Sequence, residues 1–341
     1  MIQTFCEQWT RLAFMPAFLP LNGLYEAANP AGDGGDDAAS RRNATVSRFI
    51  NRTFDTPHGS LGYKLFIPAS FNEKESALVV MLHGYSQSAD DFATGTDMNA
   101  HAEEAGCLVM YPEQTHFGMP GGCWNWFDAA HRQRGQGEAA LIAEAARQAA
   151  GEYGVPANKV FVAGMSAGGA MAVVLGCAYP DVFSAVGCHS GLPHGCADDT
   201  STALQAMRDG IFNRAASPMQ GAVPVIVFHG DDDQTVHVAN GHTVIEHSLG
   251  ALCPATRPNG ARGITVLKES GTTRGRDFTR VVHRSVDGRA LAEQWVIHGA
   301  GHTWSGGSAR GSYTDEKGPS ASAEMLRFFR EVSQVGYAAA A

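Results

Sequence analysis

The segment Val160–Ala172 reads VFVAGMSAGGAMA, and its first half and second half ask for different structures. VFVA is a short apolar run with β-branched residues at alternate positions, as in a strand covered on both faces. From Ala167 to Tyr179 the chain is rich in Gly and Ala and almost wholly apolar, which predicts a helix. Between them Gly164-Met165-Ser166-Ala167-Gly168 fits G-x-S-x-G, a serine held on a sharp strand-to-helix turn. Glycines on both flanks relieve the clash that such a turn creates with neighbouring strands. Gly168, Gly169, Ala170 and Ala172 also let the helix pack close, its positive N-terminal end facing any negative charge that develops beside Ser166.

Working outward, strands and helices alternate. Ser47–Phe54 and Leu61–Ile67 flank Pro57-His58-Gly59-Ser60 and predict a hairpin. Ala77–Leu82 (ALVVML) and Leu108–Tyr111 are continuous apolar strands, with a helix between them around Asp97–Ala105. Glu138–Tyr153 carries Ala139, Leu141, Ile142, Ala145 and Ala149 at helical spacing. Val186 and its neighbours, Val225–Phe228 and Trp295–Ile297 are later strands, and Ala323–Val332 a closing helix. Strands separated by helices of 10–15 residues mean βαβ units, hence an α/β fold with a mostly parallel central sheet flanked by helices. The expected organisation is an N-terminal extension and linker over residues 1–46, then one catalytic-sized domain over 47–335. Within the extension, Phe5, Trp9, Leu12 and Ala13 have helical spacing, read as a helix packed on the main domain rather than a surface anchor. Residues 30–42 (PAGDGGDDAASRR) read as a flexible linker.

Composition excludes several functions. The 341 residues carry 25 Lys+Arg against 34 Asp+Glu, a net charge of −9 without a basic run, which argues against nucleic acid as partner. No apolar stretch is long enough to span a membrane. The first basic residue is Arg11, and Pro16 and Pro20 break the apolar stretch behind it, so no export signal is read and a cytoplasmic location is expected. Seven cysteines form no C-x-x-C pair; they read as buried thiols, with a local Cys188–Cys196 disulfide as the alternative.

An exposed serine is a poor nucleophile without a base and an orienting acid, which follow in the order Ser, Asp or Glu, His. The acid belongs in His229-Gly230-Asp231-Asp232-Asp233-Gln234-Thr235-Val236, just after the VIVF strand. Chemistry alone leaves three carboxylates open; Asp233 is preferred, with Asp231 and Asp232 read as solvated or turn-forming. A metal site from His229, Asp231, Asp233 and His237 lacks the glycine and terminal glutamate of a calcium loop. The base is read as His302 in His298-Gly299-Ala300-Gly301-His302, while His298 is expected to be buried at the strand's end. Oxyanion donors are expected from the Ala167 N–H and, in the His83-Gly84-Tyr85 loop, from the Tyr85 N–H, with His83 bracing the loop. Trp124 and Trp126 of Cys123–Phe127 (CWNWF), with Trp304 opposite, are expected to line a substrate cleft.

Seven segments, in order, carry a resemblance: LHGYSQSADDF (Leu82–Phe92), YPEQ (Tyr111–Gln114), CWNWF, GMSAGGAMA (Gly164–Ala172), HSGLPHG (His189–Gly195), FHGDDDQTV (Phe228–Val236) and GAGHTW (Gly299–Trp304). Together they resemble the esterase family of poly(3-hydroxybutyrate) depolymerases, related to feruloyl and acetylxylan esterases. The resemblance implies an α/β-hydrolase fold and hydrolysis of carboxylic esters by a Ser-Asp-His triad, which maps onto Ser166, Asp233 and His302 and decides among the three aspartates. It implies no cofactor and no metal, an ester substrate, and contact with a polymer granule surface as a further partner. Many relatives are extracellular. Where the family commonly has Cys in the oxyanion loop this chain has Tyr85; if that Cys pairs with the CWNWF cysteine, Cys123 stands alone. Without the signal peptide, linker and binding domain of secreted polymer-degrading members, the expected substrates are amorphous polymer, soluble oligomers or short-chain esters. The competing readings are a feruloyl or acetylxylan esterase, acyl transfer to an alcohol, a peptidase, and a non-catalytic granule-binding protein.

Overall fold

A computed structural model of the chain describes residues 46–57, 59–73, 75–114, 121–211, 221–253 and 263–335. The helix expected at Phe5–Ala13 and the linker at 30–42 lie outside the described residues.

The apolar runs become strands: β1 (Arg48–Thr56), β2 (Gly59–Ile67), β3 (Leu78–Leu82), β4 (Leu108–Pro112), β5 (Val160–Met165), β6 (Val186–His189), β7 (Val225–Gly230), β8 (Ile264–Thr273), β9 (Arg276–Ser285) and β10 (Ala290–Ile297). Among the described residues these ten form one sheet in the order β1-β2-β4-β3-β5-β6-β7-β10-β9-β8. The six from β4 to β10 run parallel, and the flanking pairs β1–β2 and β9–β8 are joined to them antiparallel. Every residue of β3, β5 and β7 is buried, which is why their sequences show no polar alternation.

Successive strand side chains point to opposite faces, and each face has its own helical cover. Leu78, Val80, Val160, Val162, Val225 and Val227 pack under α4 (Gly137–Glu152), α5 (Ala167–Ala178), α6 (Thr200–Asp209) and α7 (Ala239–Leu252). Val79, Met81, Phe161, Ala163, Ile226 and Phe228 pack under α1 (Ala89–Thr96), α2 (Met98–Ala105) and α8 (Ala321–Val335). The remaining helix, α3 (Ala129–Arg132), is one turn leading into α4. Phe161 stacks on Phe329 of α8 with ring centroids 4.7 Å apart, fastening the closing helix to the central strand. The layering and the strand–serine–helix turn at its centre are those of an α/β-hydrolase.

The hairpin expected before Leu61 forms with Arg52 opposite Tyr63. The helix around Asp97–Ala105 is preceded by another: Asp97 takes a left-handed conformation (φ 52°) and separates α1 from α2. Among the described residues no disulfide forms, so Cys188 and Cys196 are not joined; burial pushes the Cys188 thiol up to about 12. No helix among the described residues is long and apolar enough to cross a membrane.

Candidate active site

Ser166 sits between β5 and α5 at φ 56°, ψ −118°, a conformation that a non-glycine residue holds only at a cost of about 1–3 kcal/mol. Its N–H donates to the His189 carbonyl (2.9 Å), and its carbonyl accepts from Ala170 N–H (2.9 Å). The two glycines of the motif are there for space. A Cβ on Gly168 would lie 2.0 Å from the Leu82 carbonyl oxygen, and one on Gly164 would lie 2.5 Å from the Gly168 carbonyl. The helix therefore seats directly against the end of β3, with Ser166 4% exposed at the rim. Ala167 is the first residue of α5, so its N–H has no acceptor within the helix.

Asp233 and His302 leave the C-terminal ends of neighbouring parallel strands, β7 and β10, whose last rung pairs Gly230 with Ile297. His302 Nδ1 lies 2.7 Å from Asp233 Oδ2. The other carboxylate oxygen, Oδ1, accepts from the Thr235 and Val236 N–H groups at 2.9 and 2.8 Å. Burial would push this carboxyl up, but the His302 imidazole and the His229 ring, with their hydrogen bonds, hold it well below the usual carboxylate range. An ionised Asp233 fixes the His302 proton on Nδ1 and leaves Nε2 as the basic nitrogen. His229, fully buried, places Nε2 3.4 Å from Asp233 Oδ2 and donates from it to the Val236 carbonyl at 2.8 Å.

The loop after β3 borders the serine: a Cβ on Gly84 would lie 3.7 Å from Ser166 Cβ. The Gly84 N–H donates to Gln87 Oε1 (2.9 Å), and Gln87 Nε2 donates to Asp91 Oδ2 (3.0 Å) and the Ser312 carbonyl (3.2 Å). His83 braces the same corner. Its Nε2 accepts from Gln114 N–H (3.1 Å), Nδ1–H donates to the Gly84 carbonyl (2.8 Å), and burial lowers its pKa. The Tyr85 ring lies against Gly121, and Ser86 N–H donates to the Gly121 carbonyl (3.0 Å).

Three expectations change. Trp124, Trp126 and Trp304 are 0, 3 and 1% exposed, so these rings are core packing and present no open face to a cleft. Trp124 Nε1 donates to the His83 carbonyl at 3.0 Å, and Trp304 stacks on His189 (4.9 Å) with Nε1 donating to Ser322 Oγ (3.2 Å). Trp124 thus holds the loop after β3, and Trp304 fixes the segment that follows His302. His298 is exposed rather than buried, and Asp231, read as solvated or turn-forming, pairs with it at 2.7 Å. The carboxylates of the weighed metal site are thus divided between two histidines, and among the described residues no three His, Cys, Asp or Glu side chains are grouped to hold an ion.

Sequence reasoning missed His189 and Gln87. His189 is fully buried; its carbonyl takes the Ser166 N–H, and its Nε2 accepts from Ser305 N–H (3.0 Å), so one residue ties the serine turn to the segment following His302. His189 ends the apolar Val186–Cys188 run, which was the available signal; Gln87 lies among polar residues and offered none. Glu138 was also missed: half-buried at the start of α4, it accepts from the Asn125 N–H (2.7 Å) and Nδ2–H (2.5 Å), and so holds the CWNWF loop.

Comparison with known proteins agrees with this architecture. The chain is 30% identical over 261 residues to poly(3-hydroxyalkanoate) depolymerase C of Paucimonas lemoignei, covering 73% of this chain and 60% of that protein. It is 30% identical over 235 residues to a probable acetylxylan esterase A of Aspergillus fumigatus, covering 64% of this chain and 62% of the relative. The chain thus spans about 60% of the length of these curated relatives. An acetyl xylan esterase from Aspergillus awamori shares the fold, with a TM-score of 0.60 at 19% identity over 84% of this chain and 99% of that one. The family model described as esterase PHB depolymerase matches residues 61–276, from β2 through the serine turn and the Asp233 loop to the start of β9. On that match the chain belongs to the esterase PHB depolymerase family.

Proposed function

We infer that this chain is a serine carboxylic-ester hydrolase working through an acyl-enzyme, with Ser166 as nucleophile, His302 as base and Asp233 as the orienting acid. The observation that carries the reading is the 2.7 Å Asp233–His302 hydrogen bond, on strands two and three places across the sheet from the strained Ser166 turn. His302 Nε2 takes the Ser166 proton as Oγ attacks the ester carbonyl, and Asp233 stabilises the imidazolium. The N–H groups of Tyr85 and Ala167 hold the oxyanion, each worth roughly 10²–10³ in rate. The imidazolium protonates the departing alcohol, and water deprotonated by His302 then releases the acid.

The substrate class we propose is poly- or oligo(3-hydroxybutyrate) and related short-chain esters, a choice supported by the family and by the depolymerase relative. An acetylxylan-type specificity is the second reading, favoured by the equal identity to the fungal relative. The test is p-nitrophenyl butyrate hydrolysis by wild type and Ser166→Ala, with fluorophosphonate labelling of Ser166. Turnover falls to background in the variant if the reading is right; near-wild-type turnover refutes it. A panel of amorphous hydroxybutyrate polymer, its soluble oligomers, feruloyl esters and acetylated xylan then separates the two specificities.

A further inference from the structure

We propose that Asp231 and His298 form a second carboxylate–imidazole pair whose work is to position the first: an outer clamp that sets the separation of Asp233 and His302. The inference rests on the hydrolase reading above. Past the last rung of β7 and β10, two backbone bonds continue the union of the two loops: Asp231 N–H donates to the Ile297 carbonyl and Asp232 N–H to the Ala300 carbonyl, both at 3.1 Å. The Asp231 side chain then closes on the same partner loop, Oδ1 accepting from Gly299 N–H and Oδ2 facing His298 Nδ1, each at 2.7 Å. This outer pair repeats the geometry of the inner one, Asp233 Oδ2 to His302 Nδ1 at 2.7 Å. The acids are two residues apart and the imidazoles four, with Gly299-Ala300-Gly301 between the latter. That linker offers one methyl group as its only side-chain anchor, so His302 must be located by what holds its neighbours.

The clamp is itself anchored. His298 Nε2 meets Thr279 Oγ1 at 3.0 Å, His298 N–H donates to the Asp277 carbonyl at 2.9 Å, and Arg276 Nη1 donates to the Gly299 carbonyl at 2.6 Å. All three partners belong to β9, so the outlying β8–β9 hairpin supports the base loop from outside. The side chains of His298 and Asp231 remain 42% and 37% exposed, and exposed pairs contribute little to global stability. A misplacement near 1 Å at a reacting group nevertheless costs on the order of 10²-fold in rate. The clamp therefore acts on turnover far more than on unfolding.

The experiment compares Asp231→Ala, His298→Ala and the double variant by kcat and KM on p-nitrophenyl butyrate, by the rate of fluorophosphonate labelling at Ser166, and by urea unfolding. We expect kcat and labelling to fall about tenfold in each single variant, with KM and the urea midpoint close to wild type and the double variant no worse than either single. Asp231→Asn recovers most of the loss, because its amide still accepts from Gly299 N–H and donates to Nδ1 of the other His298 tautomer. Unchanged kcat in both single variants, or losses that multiply in the double, overturns the clamp. A Ser166→Ala protein that keeps turnover overturns the hydrolase reading instead, so the two failures are distinct.

Discussion

Lowering the pH from 8 to 5 should cost this fold stability through its buried histidines, His189 foremost. Its ring is fully buried between Trp304 and Phe228. Burial first, then the neighbouring His229 and His302 rings, bring its pKa down from 6.5 to about 3, with Asp233 opposing. The neutral ring is also the form the structure uses, since only an unprotonated Nε2 can accept from Ser305 N–H. For a histidine depressed in the folded state, stability is fully present above the unfolded value and drains away as pH falls toward the folded one. With a native value of about 3 and an unfolded value of 6.5, the loss at pH 5 relative to pH 8 is roughly 2 kcal/mol from this group alone. The assay is urea unfolding at pH 8, 6.5 and 5 for wild type and His189→Gln, whose amide oxygen can still accept from Ser305 N–H. The variant is less stable at pH 8 but loses about 2 kcal/mol less on acidification. Parallel pH dependences in the two proteins would refute the assignment.

Two further expectations concern the serine turn. Gly168→Ala places a methyl 2.0 Å from Leu82 O and 2.5 Å from His83 O, both backbone atoms at the end of a central strand. It should cost more than about 3 kcal/mol or prevent folding, read by circular dichroism and urea unfolding; a loss under about 1 kcal/mol contradicts the packing argument. Ser166→Gly removes the strain at φ 56° and should raise stability by about 1 kcal/mol while abolishing turnover. Ser166→Ala gains no such increment, because alanine shares the backbone penalty; equal stabilities for the two variants would show that the turn stores no strain.

Much of the architecture was legible because the central strands are buried on both faces and must be written almost wholly in apolar residues, as in Leu78–Leu82 and Val160–Ala163. The β8–β9 hairpin was not. Its first strand, ITVLKESGTT, is exposed along most of its length and shows no two-residue alternation to read. Helix α7 was hidden for a different reason: ANGHTVIEHSLGAL puts Asn240, Gly241, Thr243 and Ser248 on its buried face, so its periodicity is faint. At the candidate site, the order of serine, aspartate and histidine along the chain pointed to the segments that follow β5, β7 and β10, and the family resemblance chose Asp233 among three aspartates. The tryptophans misled because an aromatic cluster on a loop looks the same in sequence whether its rings face solvent or the underside of the loop. The exposed Asp231–His298 pair escaped because which of three adjacent carboxylates meets which of two histidines is set by strand register, which composition does not encode.

That register has a practical corollary. Asp233 and His302 are 69 residues apart along the polypeptide but follow adjacent strands, so their meeting depends first on how β7 and β10 are aligned. A slip of one residue between those strands would displace one partner by about 3.3 Å, more than the whole length of the hydrogen bond that joins them. Conversely, the excursion through α7 can lengthen or shorten without disturbing the pair, provided the six rungs from Val225 to Gly230 stay in step and Arg276, Asp277 and Thr279 of β9 stay against His298 and Gly299.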